Sequence, residues 1–288
     1  GFCADDPSHR RLSVPIDREV PPTRGEAAAR QRQRADEAAE RGSKMVRAVR
    51  VAVIGATVAA ACASDAGNGQ DWDWRRTPQG NLVSPVRNYE GLPGKDCSAA
   101  GWVFAATAMI ADRIAIMQPD QPKVQLSNQV ILNCAEGDGC SDHTSIGHAL
   151  ELIKSIGGVP DRTCMGWRGQ KETCSDDTMC LNCLPGKCEP RPVYLRFNIT
   201  DFAQVSIEDS TLRQEIRENG PIACELSDRS YATLVGFSGD SFVGKFERGT
   251  FFGHGGFRDV AIDELKECWW ASPTAPWRFQ RTTATGRL

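Results

Sequence analysis

Charge of one sign is what this chain lacks. Its 288 residues carry 34 Lys and Arg against 37 Asp and Glu, a formal net charge of −3. A nucleic-acid partner needs a clustered basic surface, and this near-neutral balance argues against one. Histidine is scarce as well, four in the whole chain. The closest two, His143 and His148, stand five apart and do not share a helix face. They read as surface or packing residues, and no metal is expected. A long hydrophobic run is also missing from the N-terminal region. Val51–Ala63 holds thirteen uncharged residues, short of the about 20 that a membrane-spanning helix takes.

Cysteine is abundant, with twelve in all. That is high for a reducing compartment and points to an oxidising one. Cys164, Cys174, Cys180, Cys183 and Cys188 lie close together in the sequence. Cys180-Leu-Asn-Cys183 has a C-x-x-C spacing compatible with zinc, with a redox dithiol or with a disulfide staple. The residues alone leave this choice, and the connectivity, open. The length suffices for one sizeable domain plus an extension.

The first seventy residues differ in kind. Gly1–Pro22 is polar and broken by Pro15, Pro21 and Pro22, which reads as an extended arm. Thr23–Arg41 is rich in Ala, Arg, Gln and Glu. Thr23 and Glu26 have capping-box spacing, and Gly42 closes the segment. Such a helix is marginal alone, so residues 1–44 are expected to lie along a partner. Residues 45–63, MVRAVRVAVIGATVAAACA, read two ways. One is a secretory signal beginning at Met45 and ending at Ala61-Cys62-Ala63. The other is a membrane anchor over 46–63, with Arg47 and Arg50 snorkelling to the interface. Met45 stands inside the chain, and the anchor is the expectation. Lys44, Arg47 and Arg50 then stay on the matrix, stromal or cytosolic side. Asn198-Ile199-Thr200 is a glycosylation acceptor pattern, which marks the secretory pathway if occupied.

The most informative run is Asp96–Met117, DCSAAGWVFAATAMIADRIAIM. A Trp followed by small and apolar residues, running into Ala111-Asp112-Arg113-Ile114, resembles the central helix of papain-like cysteine proteases. Other short matches follow in order. They are Trp72-Asp73-Trp74-Arg75, Leu126-Ser127-Asn128-Gln129-Val130, Asn133-Cys134 and Asp138-Gly139-Cys140. Gly158–Cys164, GVPDRTC, and Asn219–Cys224, NGPIAC, complete the set. The first of these last two resembles the cathepsin Z (cathepsin X) branch in particular. The resemblance covers residues 72–268 and leaves a tail, 269–288, without a counterpart. The adjacent Trp269 and Trp270 in that tail read as exposed, packing on a partner or a membrane interface.

The resemblance implies an α+β, two-lobed fold carrying the N-terminal helical and membrane-anchor extension. A helical lobe spans Cys97–Lys187 and a short antiparallel β-barrel lobe spans Tyr194–Cys268. It also implies the staple over zinc. The implied pairs are Cys97–Cys140, Cys134–Cys174, Cys164–Cys180, Cys183–Cys188 and Cys224–Cys268, leaving Cys3 and Cys62 outside. No cofactor and no small-molecule substrate are implied.

A papain-type site needs a thiolate nucleophile, a His, an Asn that orients it and a Gln for the oxyanion. Each matched position holds something else. Gly101 precedes Trp102 where the cysteine belongs, and no acyl-enzyme forms on glycine. Tyr89 stands near the Gln position, and no Gln occurs between Gln79 and Gln118. Ser230 matches the His, Phe246 the Asn, and Arg248 the Trp that shields them. Asp142 and His143 replace two cleft glycines. Ser98 reads as the cap of the central helix. Cys97 with His254 is the sharpest option left for a residual peptidase.

The expectation is therefore a pseudoenzyme with a plugged cleft. It is expected to act as an accessory subunit of an organellar membrane complex, with other subunits contacting residues 1–70. The mitochondrial inner membrane is favoured, with the main domain in the intermembrane space. A thylakoid complex comes next, then a soluble secreted or lumenal pseudo-protease that binds peptides or proteins.

Overall fold

A computed structural model of the chain describes residues 71–90, 97–140, 144–274 and 279–281. The expected arm, N-terminal helix and apolar segment lie outside the described residues, as do Cys3, Cys62, Asp142 and His143.

Helix α1 (Gly101–Met117) is largely apolar, with Thr107, Asp112 and Arg113 its buried polar exceptions, and all residues from Gly101 to Ala115 are buried. A helix without a polar face belongs inside a core. It ends at Gln118, just before Pro119, which disfavours a helical residue ahead of it. Its N-cap is Ala100, and no side chain caps it. Ser98 is thus not the cap, because the helix starts two residues later than a Ser98 cap allows. Trp102 is fully buried and donates its indole N–H to the Gly139 carbonyl at 3.2 Å.

Two shorter helices pack around α1. In α2 (Asn128–Cys134) the N-cap Ser127 accepts from the Val130 N–H. In α3 (Ile146–Ser155) Ser145 does the same for the His148 N–H. The α3 stripe Ile146, Ala149, Leu150 and Ile153 repeats at helical spacing and is buried. A one-turn α4 (Asp176–Met179) follows. The helical half also carries the hairpin β3 (Leu181–Leu184) and β4 (Lys187–Pro190). A small sheet joins β2 (Val159–Pro160), β5 (Val193–Phe197) and β12 (Phe279–Arg281).

The second half is an antiparallel sheet. Its strands are β6 (Ile199–Val205), β7 (Ile222–Leu226), β8 (Tyr231–Ser238), β9 (Ser241–Lys245), β10 (Phe257–Val260) and β11 (Leu265–Pro273), in the order β10-β9-β8-β7-β11-β6. The short β1 (Trp72–Asp73) adds to β8. Helix α5 (Asp209–Asn219) buries Leu212 and Ile216 against this sheet. Among the described strands the sheet stays open and does not form the expected barrel. β11, the last long strand, inserts between β6 and β7 and does not bridge the edges β10 and β6.

Among the described residues two large apolar cores result, one around α1, α2 and α3, the other between the sheet and α5, with a small third cluster at Cys97, Ala100, Leu132 and Cys140. Trp269 and Trp270 are not exposed as expected from the sequence. β11 runs past Cys268 to Pro273, and a strand sends neighbouring side chains to opposite faces. Trp269 packs on the helical core and Trp270 on the sheet core. Gly147 makes room for Trp269: a Cβ there would fall 2.6 Å from its Cζ2.

Ten cysteines form five disulfides, with the connectivity the resemblance implied. Among the described residues no helix is long and apolar enough to cross a membrane.

Candidate functional site

The N-terminus of α1 meets the first residue of β8. The β7–β8 turn is tight, with Arg229 at φ 65°. Asp228 holds it by accepting from the Ser230 N–H at 2.9 Å and the Ser230 hydroxyl at 2.6 Å. Tyr231 then turns its ring onto Gly101. A Cβ built at Gly101 would lie 2.7 Å from Tyr231 Cδ2, closer than side-chain atoms pack. The Tyr231 hydroxyl donates to the Thr144 carbonyl at 3.2 Å. Burial, with Glu225 and Glu267 nearby, pushes this phenol well above its ordinary pKa. It stays protonated at neutral pH and is no base there.

Tyr89 approaches from the loop ahead of α1. Its ring lies 5.3 Å from that of Phe104, and its carbonyl accepts from the Trp167 indole N–H at 3.3 Å. Burial first, then the Glu90 charge, raises its phenol to about 12. Phe246 faces away, into the sheet core. It stacks on Phe252 at 4.9 Å, with the Arg258 guanidinium 4.9 Å from its ring centre. Arg248 pairs with Glu90 at 3.0 Å.

A buried charge network fixes the Tyr89 loop to α1 and β9. Lys245 Nζ lies 2.9 Å from Asp112 Oδ2, 2.9 Å from Ser84 Oγ and 3.5 Å from Glu247 Oε1. Glu247 Oε2 accepts from the backbone N–H and Nε of Arg87. Arg87 also donates to Asn128 Oδ1 at 2.9 Å and Thr107 Oγ1 at 3.0 Å. Two cations face two carboxylates, so the buried charge balances, as burial of ions requires.

The profile of papain family cysteine proteases matches residues 69–236, more than half of the sequence. The chain belongs to the papain family of cysteine proteases. Solved structures agree on the fold. Digestive procathepsin L2 from Tenebrio molitor larval midgut is 16% identical, with 70% of this chain and 68% of that one covered, at TM-score 0.57. Bromelain from Ananas comosus, in complex with the E64 inhibitor, is 20% identical, covering 70% and 98%, at TM-score 0.55. The proform of Amb a 11, a ragweed pollen allergen, is 16% identical, covering 74% and 69%, at TM-score 0.57.

In this papain-family domain the matched range includes Tyr89, Gly101 and Ser230 but stops short of Phe246. Among the described residues every cysteine is in a disulfide. Cys97 is bonded to Cys140, so it offers no thiol to His254. His148 sits with its ring 6.2 Å from Trp102. The residue that counting along the sequence missed is Tyr231. Counting back from Gly236 selects Ser230, yet Ser230 is engaged with Asp228 and its neighbour lies on Gly101. The β8–β9 ladder has a bulge between Leu234 and Gly236. Which β8 side chain meets Gly101 depends on how the strand packs on α1, and no count along the sequence reveals it.

Proposed function

We infer that this chain is a catalytically inert papain-family protein, nearest the cathepsin Z branch, whose former cleft is filled by its own side chains. One observation carries the reading: the Tyr231 ring occupies the space that a side chain at Gly101 needs. A nucleophile requires that space, and glycine supplies no nucleophile. Nearby stand two phenols that remain protonated at neutral pH and a Ser–Asp pair without a histidine. That set offers neither an activated nucleophile nor a base for it.

A filled cleft suits a structural role better than peptide binding. The five disulfides fit an oxidising compartment. The composition of residues 46–63 supports an accessory subunit of an organellar membrane complex, the mitochondrial inner membrane first and the thylakoid second. The second reading is a secreted or lumenal pseudo-protease, and the Asn198-Ile199-Thr200 triplet favours it. Purified protein is expected to turn over no peptide or carboxypeptidase substrate and to take up no thiol-directed protease probe. Turnover that disappears in Cys97→Ala or His254→Ala overturns the inert reading. Alkaline carbonate extraction and native gels separate the two locations. Retention in the pellet with a large complex supports the subunit. A soluble, Asn198-glycosylated monomer supports the secreted form.

A further inference from the structure

A cavity of about 380 Å³ opens on the helical half, beside the first residue of α2. That is within the size range of small-molecule sites. Its floor is apolar. Phe104, Leu126 and Met165 are buried, and Phe104 meets Trp167 edge to face at 4.9 Å.

The free polar side chains there include two donors, Asn128 Nδ2 and Arg162, beside the Thr163 hydroxyl, which can donate or accept. Asn128 is 4% exposed. Its Oδ1 accepts from Arg87 Nη1 at 2.9 Å and from Thr107 Oγ1 at 2.7 Å. Arginine only donates, so the atom facing it is the amide oxygen and Nδ2 is the other one. Among the described residues nothing accepts from Asn128 Nδ2. A polar side chain this buried is normally paired. Arg162, at the rim, is exposed and has no carboxylate partner among the described residues. Its neighbour Asp161 is already engaged, accepting from the Thr163 and Gln125 N–H groups. Arg87 also lines the cavity but is spent. Its donors go to Glu247, Leu126, Asn128, Phe104 and Thr107. No Asp or Glu lines the cavity.

We propose that this cavity binds a small aromatic carboxylate, with the ring against Phe104 and Trp167 and the carboxylate between Asn128 Nδ2 and Arg162. A single unpaired cation suits one negative charge, and a cationic ligand would meet Arg162. Aromatic rings prefer the edge and offset contacts that such a floor offers. Carboxylates pair strongly with guanidinium and amide donors. The site shares no residue with Gly101, Tyr89 or Tyr231, so it stands whether or not the old cleft is inert.

The test is calorimetric titration of the full chain with phenylacetate, and with benzyl alcohol and phenethylamine as neutral and cationic controls. Phenylacetate is expected to bind saturably, about tenfold or more tighter than the alcohol, with no saturable binding of the amine. Arg162→Glu removes an exposed, unpaired cation and is expected to weaken phenylacetate binding about tenfold or more at an unchanged melting temperature. Asn128→Asp keeps the acceptor for Arg87 and Thr107, loses the donor and is expected to weaken binding too. The proposal is overturned if the alcohol binds as tightly as the acid. Unchanged affinity in Arg162→Glu overturns it as well, as does the absence of saturable phenylacetate binding in the millimolar range.

Discussion

Lys245 Nζ lies 2.9 Å from Asp112 Oδ2, and neither side chain reaches water. The pair joins β9 to the middle of α1 and so ties the two halves of the domain together. Such a pair is costly to halve, because the survivor is a buried, uncompensated charge. Lys245→Met is expected to lower stability by about 3–5 kcal/mol in urea unfolding. The double variant Asp112→Leu, Lys245→Met is expected to lose less than the single one. A double variant worse than Lys245→Met would show that the ion pair itself, not the orphaned charge, dominates.

Gly101→Ala sets two effects against each other. Alanine in a helix is favoured over glycine by about 1 kcal/mol. The added Cβ, however, would sit 2.7 Å from Tyr231 Cδ2, and overpacking costs about 1–3 kcal/mol. The clash is expected to win, giving a net loss. In a Tyr231→Ala background the clash is gone, and Gly101→Ala is expected to become neutral or stabilising. This change of sign is read from a double-mutant cycle. Equal effects in both backgrounds would separate Tyr231 from position 101.

The Ser230 hydroxyl, the largest influence, holds the Asp228 carboxyl below its ordinary pKa, against a smaller opposing effect of burial. A carboxyl lowered in the folded state stabilises it above the ordinary pKa, and that contribution is lost as pH falls through the lowered value. Ser230→Ala is expected to move the Asp228 midpoint up toward the usual aspartate range, about 3.9. Carboxyl carbon shifts followed by NMR from neutral to acid pH report this. An unmoved midpoint would assign the shift to the backbone N–H of residue 230, with Arg258 and Arg248 behind it.

The disulfides are expected to differ in worth. Cys183 and Cys188 are five residues apart on an exposed hairpin, whereas Cys224 and Cys268 are 44 apart and buried. Loop-closure entropy assigns about 2 kcal/mol to the first and about 4 kcal/mol to the second. Replacing each pair by alanine and comparing urea midpoints tests the ranking, and the second variant also loses packing. A Cys183–Cys188 variant less stable than the Cys224–Cys268 one would reverse it.

The sequence by itself determined the central helix, because an apolar run without a polar face and closed by Gln118-Pro119 has only one stable fate inside a core. It determined the five staples once the family pattern was recognised, and it determined that position 101 carries no nucleophile. Other features depended on which strands lie side by side. β11 inserts between β6 and β7, so the sheet is open and Trp269 and Trp270 each find a core. The packing of β8 against the start of α1 puts the Tyr231 ring on Gly101. The Lys245–Asp112 pair and the Asn128 cavity join residues 133 and 34 positions apart (Lys245 to Asp112, Arg162 to Asn128). Local pattern encodes helices, turns and alternation because those depend on neighbours in the chain. Which distant side chains share one buried space is fixed only by the register and packing of the folded sheet.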